Sequence, residues 1–159
     1  MASVFVVALS LLAGTVVYVV DGDTIHVQVG DRIEKVRYIG VNAPEVPHPR
    51  AQTEAHGGHQ RRGLRFLPDT AAAGEAARLI NLELVAGRSV RLELDREQRD
   101  GYGRLLAYVW VGDVMINAEM VRRGYAEVMS IPPDFTHRAL FLRLQDDARA
   151  ARRGLWRSP

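Results

Sequence analysis

Read for the spacing of apolar and polar positions, the chain divides into five strand-like and three helix-like segments. Residues 16–20 are an unbroken apolar run, which predicts a buried strand. Asp21-Gly22 is a hairpin-turn pair. Ile25, Val27 and Val29 then alternate with polar neighbours, predicting a second strand. Gly30-Asp31 turns the chain into a third strand over residues 33–39, broken by Gly40 and Pro44. Thr70 is positioned to cap a helix over residues 71–85, which Gly87 stops. Val90, Leu92 and Leu94 alternate with Arg91 and Glu93 in a fourth strand, and residues 105–111 form a fifth after the glycine turn at 101–103. Asn117 is read as the cap of a short helix that ends at Gly124. Asp134 opens a last helix in which Leu140, Leu144, Ala148 and Ala151 share a face. Gly154 ends it, and Leu155-Trp156 is expected to fold back on the core.

Two stretches break this rhythm. Residues 2–13 are almost wholly apolar, too short for a bilayer span of roughly 20 residues. They fit the apolar part of an export signal, although no Lys or Arg precedes them and Leu11-Leu12-Ala13 is a poor cleavage site. Residues 1–14 are therefore read as a possible leader and 15–157 as one domain, which would make the protein secreted or periplasmic. Residues 46–69 hold three prolines, three glycines, three histidines and four arginines, and read as a long surface loop. His48, His56 and His59 lie there without metal-ligand spacing, and Arg50, Arg61, Arg62 and Arg65 are a solvated stretch or a lure for a polyanion.

Composition narrows the chemistry. With 159 residues, 47% of them hydrophobic, the chain suffices for one domain with a core. There is no cysteine, which excludes disulfides, thiolate metal sites and thiol catalysis. The formal charge is only +2, yet Lys35 is the single lysine among 21 basic residues. Arginine can grip phosphate oxygens in a bidentate way, so a nucleic-acid partner is permitted without being required.

Five short pieces carry candidate chemistry: Asp21-Gly22-Asp23-Thr24, Arg37, Asn42-Ala43-Pro44-Glu45, Asp100, and Tyr102-Gly103-Arg104. Each has an ordinary structural reading, as a turn, a surface strand arginine or a loop carboxylate. Together they supply hard oxygen ligands, one spare carboxylate and two arginines. In order, type and spacing they resemble the staphylococcal nuclease family, from about Thr15 to Trp156.

The resemblance implies an α+β fold, a five-stranded oligonucleotide/oligosaccharide-binding (OB) barrel with three helices. The strands by themselves fit other small α+β sheets equally well. It also implies one Ca²⁺ ion held by Asp23, the residue-42 side chain and the Ala43 carbonyl. Glu45 would act on water as general base or by orienting it, while Arg37 and Arg104 would bear on the scissile phosphate. Tyr102 would bind substrate phosphate, with Asp21 and Asp100 in support. Two departures stand out. Asn42 occupies a position where the type member has a metal-binding aspartate, which implies weaker cation affinity. The stretch Met129-Ser130-Ile131-Pro132 lacks the family's base-binding tyrosines.

The function so implied is Ca²⁺-dependent hydrolysis of DNA and RNA, endo- and exonucleolytic, leaving 3′-phosphate ends. No stable protein partner is implied and a monomer is expected. The competing reading is a catalytically weak or inactive nucleic-acid-binding barrel, which Asn42 favours. A sugar-binding barrel is a third, disfavoured by the paired arginines.

Overall fold

The computed structural model describes residues 11–47, 67–129 and 135–157. Three consecutive antiparallel strands, β1 (Leu11–Val19), β2 (Thr24–Val29) and β3 (Arg32–Tyr38), form a meander. After β4 (Val41–Asn42) and helix α1 (Ala71–Val85), β5 (Ser89–Glu93) returns to the free edge of β1. β6 (Leu105–Val111) then pairs antiparallel with β5 and parallel with β3. That second pairing sets Val36 against Leu105 and closes the sheet into a five-stranded barrel. The fold is the OB barrel, α+β, with three helices. A two-residue strand, β7 (Val114–Met115), leads into α2 (Ile116–Arg122). A second, β8 (Glu127–Val128), pairs with β4. Helix α3 (Arg138–Ala150) and a 3-10 turn over Gly154–Arg157 complete the described chain.

Alternation decides which side chains fill the barrel. Val16, Val19, Ile25, Val27, Val36, Leu92, Leu105, Ala107 and Val109 are all buried within it. Each large aliphatic side chain contributes about 1.5–3 kcal/mol when fully removed from water. β1 departs from the expected continuous buried strand. Its register shifts between Val16 and Tyr18, a bulge that turns two successive residues outward. Val17 and Tyr18 are therefore 51% and 58% exposed, while Val16 and Val19 stay inside. β1 also starts at Leu11, so residues 11–14, read from sequence as leader, pair with β5.

Helix α1 spans the predicted residues, and the Thr70 hydroxyl accepts from Ala73 N at 3.1 Å as its cap. Asn117 is not a cap. Helix α2 starts one residue earlier, with no side-chain cap on its first turn. The Asn117 side chain is instead fully buried. Its Oδ1 accepts from Val109 N at 2.9 Å, and its Nδ2 donates to the Ile39 and Ala107 carbonyls at 3.1 Å each. Asparagine suits both tasks, because one amide carries donor and acceptor.

The last helix is documented from Arg138; the predicted start at Asp134 lies outside the described residues, as do His48, His56, His59 and the arginines of that loop. Its buried positions are Phe141, Gln145 and Ala148, whereas Ala151 lies past its end and is exposed. Gln145 ties it to β8 through Val128 N at 2.7 Å. Asp95 holds the segment before α3 by accepting from Thr136 N and from the Tyr108 hydroxyl. The two tryptophans are half-buried rather than core. Arg91 lies over the Trp110 ring and Arg149 over that of Trp156. Among the described residues no helix is long and apolar enough to cross a membrane.

Candidate active site

The β1–β2 turn presents two carboxylates. Asp21 Oδ1 accepts from Asp23 N at 3.0 Å, an Asx turn of the kind short acidic side chains favour. Gly22 lets the turn lie against the helix, since a Cβ there would meet Ala43 Cβ at 2.6 Å and Ala77 Cβ at 2.8 Å. The turn is fixed from below by a buried relay. The Tyr38 hydroxyl donates to Asn81 Oδ1 at 2.7 Å, and Asn81 Nδ2 donates to the Asp21 carbonyl at 2.8 Å.

Asp23 is 4% exposed and is the hub of the cluster. Oδ1 accepts from the Thr24 hydroxyl at 3.0 Å, and Oδ2 accepts from Ala43 N at 2.6 Å. The same Oδ2 lies 3.1 Å from the Arg37 guanidinium. Arg37, the penultimate residue of β3, is buried as well and donates to the Tyr38 and Val41 carbonyls at 3.1 and 2.8 Å. It also donates to Asn42 Oδ1 at 3.1 Å. A charge this enclosed is tolerable only because it is paired and hydrogen-bonded. The fold thus brings Asp21, Asp23, Arg37, Asn42 and Ala43 into one cluster.

Burial, with the neighbouring Asp23 charge second, pushes the Asp21 carboxyl up to about 7. Two crowded carboxylates next to an amide oxygen are donors of the kind hard divalent cations take. The chemistry of the donor set therefore fits a Ca²⁺ ion. Among the described residues no group of three or more His, Cys, Asp or Glu could hold a metal, so such an ion would rely partly on neutral oxygens.

Glu45 lies beyond Pro44 with its side chain exposed. Its backbone is pressed on α1, where a Cβ at Gly74 would collide with the Glu45 carbonyl. Sequence reasoning passed over Gly74 and Asn81. A glycine inside a helix and an asparagine on its buried stripe, between Ala77 and Val85, were the available signals.

A second knot forms before β6. Asp100 Oδ1 accepts from the Tyr102 and Arg104 backbone N–H groups, each at 3.0 Å. Asp100 Oδ2 accepts from Arg104 Nε at 2.7 Å. Desolvation raises the Asp100 pKa and these bonds lower it, leaving it below the usual carboxylate value. Gly103, at φ 78°, takes the left-handed conformation this tight turn needs. The Arg104 guanidinium rests 5.5 Å from the centre of the Tyr102 ring, which is itself 81% exposed. Because β3 and β6 run side by side, the two arginine-bearing knots belong to neighbouring strands. His26 and His137 belong to neither.

A family model described as staphylococcal nuclease homologue matches residues 35–158. The thermonuclease of Staphylococcus intermedius is 34% identical over 138 residues, covering 87% of this chain and 72% of that protein. The chain belongs to the staphylococcal nuclease family. The Staphylococcus hyicus thermonuclease is 30% identical, with 89% of this chain and 73% of the relative covered. Endonuclease YncB of Bacillus subtilis is 30% identical over 86% of this chain and 58% of its own length. The family match begins at Lys35, so Asp21 and Asp23 fall before it, and their place beside Arg37 rests on the geometry above.

Proposed function

We propose that the protein cleaves DNA and RNA with low sequence selectivity, by Ca²⁺-dependent attack of water on phosphorus, leaving 3′-phosphate ends. The enzyme class, a hydrolase of phosphodiester bonds, rests on the family and on its thermonuclease and endonuclease relatives. The observation that carries the finer reading is the pairing of two fixed arginines on neighbouring strands beside a cluster of hard oxygen donors.

In this reading Asp23, Asn42 and the Ala43 carbonyl hold the ion, with Asp21 in support. When bound, the ion supplies a hard positive charge against the phosphodiester. Glu45 takes a proton from the attacking water or orients it. The water oxygen bonds to phosphorus as the bond to the 5′-oxygen breaks, and that oxygen leaves as a hydroxyl after taking a proton from solvent. Arg37 and Arg104 donate to the phosphate oxygens as negative charge builds up. Both are held by acceptors beforehand, so little ordering remains to be done in the transition state. Contacts of this kind go to phosphate rather than to bases, which accounts for low selectivity.

Export belongs to the same proposal. The pairing of Leu11 to Gly14 with β5 supports a leader that ends before Leu11.

The test is digestion of heat-denatured DNA with Ca²⁺ and with chelator, alongside Glu45→Gln. Cleavage should require the cation and fall by about 10²–10⁴-fold in the variant. A second reading, a binding barrel without turnover, is favoured by the neutral Asn42 alone. Folded protein that binds DNA but leaves it intact across a wide Ca²⁺ range would decide for it.

A further inference from the structure

The outer face of the meander carries three side chains that the site described above does not use, in a row that runs on to Arg104. The β1 bulge turns Tyr18 outward, opposite His26 in the β1–β2 register, with ring centres 5.5 Å apart. His26 in turn is registered with Lys35 on β3. Val36 and Leu105 pair across the parallel seam and both point inward. Lys35 and Arg104 stand one residue before that pair, on the outward side. Tyr18, His26, Lys35 and Arg104 therefore form one row across β1, β2 and β3 to the residue before β6, about 14 Å long at the usual strand spacing of ~4.8 Å. Arg37 lies on the same face of β3, ~7 Å further along the strand.

The row sets two flat rings, Tyr18 and His26, beside two cations, Lys35 and Arg104. Lys35 is exposed and has no ion-pair partner among the described residues. Arg104 is held by Asp100 at 2.7 Å, and Glu34, next to Lys35 in the chain, is committed to Arg99 at 2.9 Å. Burial, and after it the Lys35 charge, lower the His26 pKa, which favours its neutral ring.

We propose that this row is a binding track for single-stranded nucleic acid, seating the nucleotides that flank the scissile phosphate. Tyr18 and His26 offer faces on which bases stack, and Lys35 and Arg104 meet the phosphates that run from those bases toward the site. Duplex is the poorer occupant, because its bases are already stacked on one another. The track rests on the nuclease reading only for what happens next to it; binding stands without turnover.

The experiment is fluorescence anisotropy in chelator with a labelled oligo(dT) about eight nucleotides long, inside the ~4–16-nucleotide footprint of such barrels. Tyr18→Ala should weaken binding roughly 5- to 150-fold, the value of one stacked base. Tyr18→Phe, which keeps the ring, should bind like the parent and controls for folding. Lys35→Ala should lower the slope of log affinity against log salt by about 0.7. A thymidine dinucleotide, too short to span from Arg37 to Tyr18, should bind all four proteins equally. Unchanged oligo(dT) affinity in Tyr18→Ala overturns the track, and so does an equal loss for the dinucleotide. Should the parent protein fail to cleave while this ranking holds, the nuclease reading falls and the track stands.

Discussion

Asn42 meets the Arg37 guanidinium with an amide oxygen where the type member of the family has a carboxylate. Asn42→Asp would add a negative charge to a cluster already able to attract a cation. Calorimetric titration should show Ca²⁺ binding on the order of tenfold tighter, equal to about 1.4 kcal/mol of added attraction. An unchanged affinity would remove residue 42 from the ligand set. Gly74 offers a separate single-residue test. In most helix interiors Gly→Ala stabilises by roughly 0.5–1 kcal/mol. Here the added methyl would strike the Glu45 carbonyl. Gly74→Ala should therefore lose turnover without gaining in melting temperature; a more stable, fully active variant would show that the position of Glu45 does not depend on this contact.

At the scale of elements, α1 is a platform for the acidic turn as well as a lid on the barrel. Asn81→Ala would leave the Tyr38 hydroxyl and the Asp21 carbonyl without their partners. The expected cost is about 2–4 kcal/mol in denaturant unfolding, together with weaker Ca²⁺ binding as the turn loosens. A loss of stability with Ca²⁺ affinity intact would confine Asn81 to a packing role. Helix α2 carries an acid clamp. Glu119 accepts from Arg122 and Arg123, and these bonds, Arg122 first, hold its carboxyl down at about 2 against an ordinary 4.5. A depressed carboxylate stabilises above its unfolded pKa and loses that contribution as pH falls through the folded one. Glu119→Gln should flatten the acid limb of the stability profile between pH 4.5 and 2 and leave its shape near neutrality unaltered.

How legible these elements were depended on the range of the interactions. The meander announces itself, because Asp21-Gly22 and Gly30-Asp31 join strands of period two, and such turns act locally. The β3–β6 pairing has no local signal, since Val36 and Leu105 are far apart in the chain and parallel strands need a long crossover. Its place came from the family resemblance. Asn117 was misread because the residue that caps helices is equally able to bridge three buried backbone groups. The bulge in β1 was invisible because Val17 is as apolar as its buried neighbours. The acidic turn, Arg37 and Asn42, which the fold joins in one cluster, were legible as a set, whereas the supports beneath them, Gly74 and Asn81, matter only through contacts distant in sequence.

For the whole molecule the parallel seam is the closing joint, and Asn117 is its fastening, joining β6 to the Ile39 carbonyl just past β3. Asn117→Ala would take this partner from Val109 N and from the Ile39 carbonyl, while the Ala107 carbonyl keeps Ile39 N, and a loss of about 2–4 kcal/mol is expected in thermal or denaturant unfolding. The seam has one more effect, in time rather than in space. Pairings between remote segments form late, after local hairpins. Arg37 and Arg104 sit on opposite sides of this joint. While the barrel is open they ride on separate pieces of chain, and neither has the other beside it. Under the proposed mechanism a nascent or partly unfolded chain is catalytically mute, and a cell making this protein meets an active nuclease only after the last step of its maturation.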